Sequence, residues 1–195
     1  MHQLADEIRE VFDERGYRIG QAVSADPAFS RGCRSRSSLG RDLVLATIEE
    51  STSRLGLGFT TVSGGGCEVV DFVNNTNRWH RVRKAERDTD TDGYTILCDS
   101  DAILSVPDDD SGLYPSERWV LGYTVDESGV VAEIFSAKVL GLSSDPIPSL
   151  VLASVTALGT PHATPPDPGF QTLDDDDLGD EFESGDEADG DTETG

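Results

Sequence analysis

Two periodicities divide this chain. Between His2 and Arg15 the apolar positions Leu4, Ile8, Val11 and Phe12 recur at i, i+4, i+7 and i+8, one face of an amphipathic helix that Gly16 is placed to close. A turn-rich segment follows over residues 25–40. Ser37 or Ser38 can then cap a second helix of about fifteen residues, with Val44, Ile48, Ser51 and Leu55 on one face and Gly56 at its end. Stripes of this kind usually face the core of their own domain.

After Gly56 the helical period gives way to short β-branched and aromatic runs punctuated by glycine: residues 57–63, 67–73, 78–84, 94–98, 119–126 and 130–139. Ser63-Gly-Gly-Gly66 reads as a hairpin turn, since it lacks the Lys-Ser/Thr of a phosphate-binding loop and precedes a strand. Asp126-Glu-Ser-Gly129 is a second hairpin, and residues 107–115 form a loop. The run LVLASVTAL at 150–158 fits a last strand or a buried helix equally, because it is too short for period to decide. The expected fold class is α+β: two N-terminal helices packed on a mainly antiparallel sheet of about five to seven strands.

Composition changes the picture at the C-terminus. Residues 160–195 hold Asp and Glu but no Lys or Arg, with Phe170, Leu173, Leu178 and Phe182 almost their only large apolar side chains. Such a segment buries too little to offset its ordering entropy, so the expected division is one α+β domain over 1–159 and a disordered acidic tail over 160–195. The whole chain carries a formal charge of -23, which opposes nucleic acid and anionic membrane overall. Cys33, Cys67 and Cys98 have neither disulfide-framework nor CxxC spacing and are expected as buried free thiols. The chain shows no signal peptide and no apolar run of spanning length, which points to the cytoplasm.

Against that acidic background two basic windows stand out. Arg31, Arg34, Arg36 and, just beyond them, Arg41 are expected just before the N-terminus of the second helix, where backbone N–H groups and the helix dipole favour an anion. Arg78, His80, Arg81, Arg83 and Lys84, with Trp79 among them, resemble a single-strand nucleic-acid surface, but strand alternation puts Arg78, His80, Val82 and Lys84 on one face and Trp79, Arg81 and Arg83 on the other. Arg34, Arg36, Arg41, Arg81, Arg83 and Lys84 are therefore candidates for a partner's carboxylate or phosphate, or for pairing with the chain's own acids. The acidic tail is either a solubility segment or a polyanionic shield over such residues.

The motif DTDTDG at 88–93 places Asp88, Asp90 and Asp92 at alternate positions before a glycine, with Asp99 twelfth, as in a calcium loop. Its flanks read as strands rather than helices, so a hairpin with an acidic tip explains the same letters. Calcium remains the one cofactor those residues suggest. The only lysines, Lys84 and Lys138, follow Val82 and Ser136 at the spacing where a nuclease strand needs an acid, and His2, His80 and His162 belong to no recognisable peptidase or nucleophile motif. No catalytic residue is assigned, and an enzyme is the less favoured class.

Three segments, RSRSSLGRD at 34–42, RVRKA at 81–85 and WVLGYTVD at 119–126 followed by Gly129, resemble a group of small uncharacterised bacterial and prophage proteins often encoded beside metallopeptidases of the ImmA/IrrE type. The likeness covers about residues 31–139. It implies a regulatory or toxin-antitoxin-like accessory partner acting with that peptidase in a stress or defence locus, and carries over no catalytic residue. The alternatives are a nucleic-acid-binding or nuclease-like protein with an autoinhibitory acidic tail, and a calcium-binding module.

Overall fold

The change of period at Gly56 is the boundary between helices and sheet. The computed structural model describes residues 1–31, 34–88, 93–98, 100–106 and 113–159. Helix α1 is His2–Arg15 and buries Leu4, Ala5, Ile8 and Phe12, a stripe at the expected spacing. Gly16 ends α1 but keeps right-handed helical dihedrals, so the chain bends directly into a further helix, α2, Tyr17–Ser24. Helix α3 runs Arg34–Thr52 and buries Val44, Ile48 and Ser51. The helices thus number three among the described residues, and the last begins earlier than a Ser37 or Ser38 cap would place it. Arg34 and Arg36 lie inside its first turns rather than ahead of them. The extra turn is held by tertiary contact: the Arg36 guanidinium donates to the carbonyl of Glu127, 2.9 Å away on another element.

The strands are β1 Gly58–Val62, β2 Gly66–Val73, β3 Thr76–Lys84, β4 Glu86–Asp88, β5 Gly93–Thr95, β6 Ser116–Val125, β7 Val131–Leu142 and β8 Leu150–Ala157. Six form one sheet in the order β1-β2-β3-β6-β7-β8, while β4 and β5 pair separately. Every neighbouring pair of the large sheet is antiparallel except β3 and β6, which run parallel. The sheet is therefore mixed but mainly antiparallel, and the architecture is α+β. Residues 150–157 are a strand: β8 completes the edge beside β7, which settles what period left open.

Turn chemistry sets the register. Gly64 and Gly65, both at positive φ, close the β1–β2 hairpin, and Gly129 (φ 86) closes β6–β7. Asn74 and Asn75, at φ 52 and 59, form the two-residue turn between β2 and β3, a geometry that asparagine tolerates and that matches strand twist.

A parallel pair needs a long crossover, and the segment between β3 and β6 becomes the second half of the core. The helices cover one face of the sheet, where Leu4, Ile8, Val44 and Ile48 meet Val69, Val82 and Leu121. On the other face Ala85, Ile96, Cys98 and Ile103 of the crossover pack on Val120, Phe135 and Ala137. Full burial of such side chains stabilises by about 1.5–3 kcal/mol each. Within that second layer Tyr94 stacks on Phe135 at 3.8 Å between centroids, and Phe135 lies across Gly122 of β6, where a Cβ would overlap its ring. Cys67 and Cys98 are buried free thiols, Cys33 lies outside the described residues, and so does the segment from residue 160 onward. Among the described residues no helix is long and apolar enough to cross a membrane.

Candidate functional site

The register of β3 distributes the second basic window over both faces. Opposite β2, Val69 faces His80 and Glu68 faces Arg81, so Arg78, His80 and Val82 look toward the helices while Trp79 and Arg81 look away, as alternation predicts. Arg81 donates to Glu68 at 3.2 Å, and Arg118 of β6 donates to the same carboxylate at 2.8 Å. Glu68 and Arg118 are 5 % and 7 % exposed. Burial lowers the Arg118 pKa, opposed by the Glu68 charge. Here two cations share one anion inside the sheet, a network with no route to a ligand.

The helix-side face carries a second buried group. His80, 1 % exposed, donates from Nδ1 to the carbonyl of Arg78 at 3.2 Å, leaving Nε2 to accept the Ser136 hydroxyl at 3.0 Å. Asp71 Oδ1 lies 3.6 Å from His80 Nδ1. The Asp-His-Ser order is that of a nucleophile relay, but two features of the geometry exclude that role in this conformation. The carboxylate is beyond hydrogen-bonding distance, and Ser136, 7 % exposed, is closed to substrate. Burial holds the imidazole pKa down to about 4 and raises that of Asp71. This neutral histidine is a packing element. Sequence order alone hides the grouping, because the three residues come from β2, β3 and β7.

At the C-terminal ends of the parallel strands the situation reverses. A cleft of about 840 Å³ opens there, lined by Lys84 to Arg87 on one side, Tyr123 to Glu127 on the other, and Arg36, Ser37 and Gly40 of α3 above. The cleft lies where the parallel β3–β6 pair ends. Val23, Ala85, Tyr123, Val125 and Ala132 give the cleft an apolar floor. Burial pushes the Tyr123 hydroxyl pKa up to about 12, so it remains a protonated donor at neutral pH.

The charges around the floor are mixed. Arg87 donates to Tyr94 at 2.8 Å and to both Glu133 oxygens at 3.1 and 3.2 Å. Partial burial would raise the Asp126 pKa, yet the Ser128 hydroxyl at 2.6 Å and the Val130 N–H at 2.9 Å hold it low, so its charge serves the hairpin. Arg36 lays its aliphatic stem against Gly129, where a Cβ would come within 2.7 Å of Cγ and Cδ, and its Nε is buried without a partner. Lys84 is exposed and makes no ion pair among the described residues. Glu86 and Glu127 face the same opening.

Of the candidate residues, then, Arg36 and Lys84 meet at the cleft. Arg41 does not join them: it donates to the Gly65 carbonyl in the β1–β2 turn. Arg34 is exposed outside the lining, Arg81 is committed to Glu68, and Arg83 is half-buried on β3. Asp88 ends β4 and pairs with Gly93 of β5 in an antiparallel hairpin. The DTDTDG stretch is thus flanked by strands, with β4 rather than β3 as the entering arm, and Asp90, Asp92 and Asp99 lie outside the described residues. Sequence reasoning missed Arg87, Tyr123 and Glu133, since only the fork between β3 and β6 brings them together.

The fold and cleft define an α+β domain with a mixed-charge crevice at the carboxyl ends of its parallel strands. Compared with known proteins, the chain matches no family model, no curated protein and no solved structure.

Proposed function

We propose that this is a non-enzymatic interaction protein that receives a polypeptide partner in the cleft between α3 and the ends of β3 and β6. The observation that carries the reading is the lining itself: Arg36 and Lys84, from the two basic windows, share an apolar-floored cleft with Glu86 and Glu127. A phosphodiester backbone would meet those carboxylates as well as the cations, whereas a polypeptide can match both signs and the apolar floor. The resemblance of 34–42, 81–85 and 119–126 gives the setting, an accessory partner of a metallopeptidase in a bacterial or phage stress or defence locus. All three segments contribute lining residues: Arg36, Ser37 and Gly40 from the first, Lys84 and Ala85 from the second, and Tyr123, Thr124, Val125 and Asp126 from the third.

The test has two arms. Labelled single-stranded and duplex oligonucleotides titrated into the full chain across a salt series are expected to show no binding even at low salt. Binding that weakens steeply with salt would move the protein to the nucleic-acid class. In the second arm a tagged full chain is expressed in its own cell, and the double variant Arg36→Glu, Lys84→Glu is expected to lose the protein that the unaltered chain retains. Equal retention by both would remove the cleft from the function.

A further inference from the structure

We propose that the free edge of β8 pairs antiparallel with the β8 of a second copy of this chain about a two-fold axis, joining two six-stranded sheets into one. The inference is independent of the cleft, whose lining residues all lie outside β8. Strand β8 is the last of the large sheet, 8 residues long, and bonds to β7 on one side. On its other side, among the described residues, its start alone is covered. There Leu97 bridges Ser149, with the Cys98 N–H on the Pro148 carbonyl at 3.0 Å and the Leu150 N–H on the Ile96 carbonyl at 2.9 Å. No described strand lies beside residues 151–157. The far end is also fixed, since the buried Leu158 donates from its N–H to the Ile134 carbonyl at 2.8 Å. An edge held at both ends offers its backbone groups to another strand with little ordering left to do.

This edge lacks the usual guards. Edge strands of soluble domains are kept apart by lysines, prolines or inward charges, yet no Asp, Glu, Lys or Arg occurs between Asp145 and Asp167. The opposite edge, β1, is protected by its length of 5 residues. Five of the eleven exposed large apolar side chains among the described residues gather at β8: Val151 and Val155 on it, Ile147 in the loop before it, Leu140 at the β7 bulge beside it, and Leu97 on the bridge. A second sheet continuing this one would cover them. One guard is present, a bulge in which Ser154 (φ 51) and Val155 stand opposite Ala137. It divides the edge into short runs, which suits a reversible pair rather than a permanent one.

Charge selects the occupant. A chain with a formal charge of -23 repels its own copies over most of its surface, so a neutral edge is where two of them can meet, while a charged partner finds nothing there to pair with. Antiparallel pairing about a two-fold uses the same residues from both copies and closes at two. It also sends the two β8 C-termini in opposite directions. The segments from residue 160 onward, each with thirteen Asp and Glu and no Lys or Arg, then start about 25 Å apart, well beyond the ~8 Å over which charges act at physiological salt. Parallel pairing would start them side by side.

Sedimentation equilibrium of the full chain from about 1 μM to about 1 mM is expected to pass from one to two times 20.9 kDa. The passage should come at lower concentration in about 0.5 M salt than in about 0.05 M, because salt screens the net repulsion. The double variant Val151→Lys, Val155→Lys changes exposed side chains and is expected to weaken association at least about tenfold. Phe29→Lys, the same change on an exposed residue away from the edge, should leave it unaltered. Amide exchange of the unaltered chain is a second readout: residues 151–157 should gain protection with concentration, and β1 should not. If the lysine variant does not fold, the exchange result decides alone. A mass of one chain throughout the range overturns the proposal, as does a dimer that the lysine variant leaves intact or that protects β1 instead. Mass rising past two copies overturns the two-fold closure. None of these outcomes bears on the Arg36 and Lys84 test of the cleft.

Discussion

Arg81 and Lys84 belong to one strand and have opposite fates. In the middle of β3, flanked by β2 and β6, Arg81 is drawn into a buried carboxylate that Arg118 also claims. At the C-terminal end, where β4 swings away, Lys84 stands exposed at the mouth of a cleft. Residue type is nearly the same; what differs is whether neighbouring strands continue alongside. A charge inside the sheet is desolvated and must be satisfied internally, so it fixes structure. A charge at the fork keeps its water and fixes little structure, which is what the proposed partner contact requires.

The largest expected effect breaks the buried half of this comparison. Glu68→Ala strands two guanidinium groups in a site from which water is excluded, and should cost about 3–5 kcal/mol of stability by urea unfolding. Glu68→Gln keeps the volume and a hydrogen-bond acceptor and should cost less. A loss below about 1 kcal/mol for the alanine variant would show that the network is hydrated and not buried in solution.

Next in size is a pH dependence. His80 titrates near 4 in the folded protein against an ordinary 6.5. Between those values the unfolded chain binds the proton and the folded one does not, so stability rises with pH through this window. The contribution is complete above about 6.5 and is lost as pH falls toward 4, about 3 kcal/mol in all. Asp71, whose pKa is raised by burial, works in the opposite direction above its ordinary 3.8, because the folded state holds that proton longer. His80→Gln should remove the rising limb between pH 4.5 and 6.5 (about two units of the window). An unchanged slope in that variant would assign the dependence elsewhere.

A smaller effect couples structure to the cleft. Gly129→Ala forces a side chain into positive φ and into the Arg36 stem, for about 1–2 kcal/mol. It should also release the Arg36 guanidinium from the Glu127 carbonyl, seen as a shift of the Arg36 Nε–H resonance. Stability unchanged within about 0.5 kcal/mol would mean that the hairpin yields without strain.

Much of this was legible in the sequence. The stripe Leu4, Ile8, Phe12, the glycine turn at 64–65, the Asp126–Gly129 hairpin and the alternation along β3 are local patterns, and local patterns survive folding when tertiary contacts agree with them. The start of α3 was not legible, because the turn before Ser37 is held by Arg36 reaching a carbonyl far along the chain. Nor was the parallel pairing of β3 with β6, which depends on a crossover whose short strands β4 and β5 carry little pattern of their own. The site inherits that blindness: Arg36 and Lys84 were visible as basic residues, but their meeting depends on the fork, and the fork is a property of topology.

The smallest expected effect on stability is the most informative about function. Lys84→Glu reverses the charge at an exposed position without an ion-pair partner among the described residues, so unfolding should move by no more than about 0.5 kcal/mol. Glu68→Ala removes one charge beside the middle of β3 and Lys84→Glu changes the charge at its end by two, yet the second is expected to carry an order of magnitude less structural cost. Partner retention should follow the reverse ranking: Lys84→Glu loses it while folded, because it takes one of the cations from the cleft and puts a carboxylate beside Glu86 and Glu127. If Lys84→Glu instead unfolds the chain, the end of β3 is structurally committed like its middle, and the division between closed network and open fork fails.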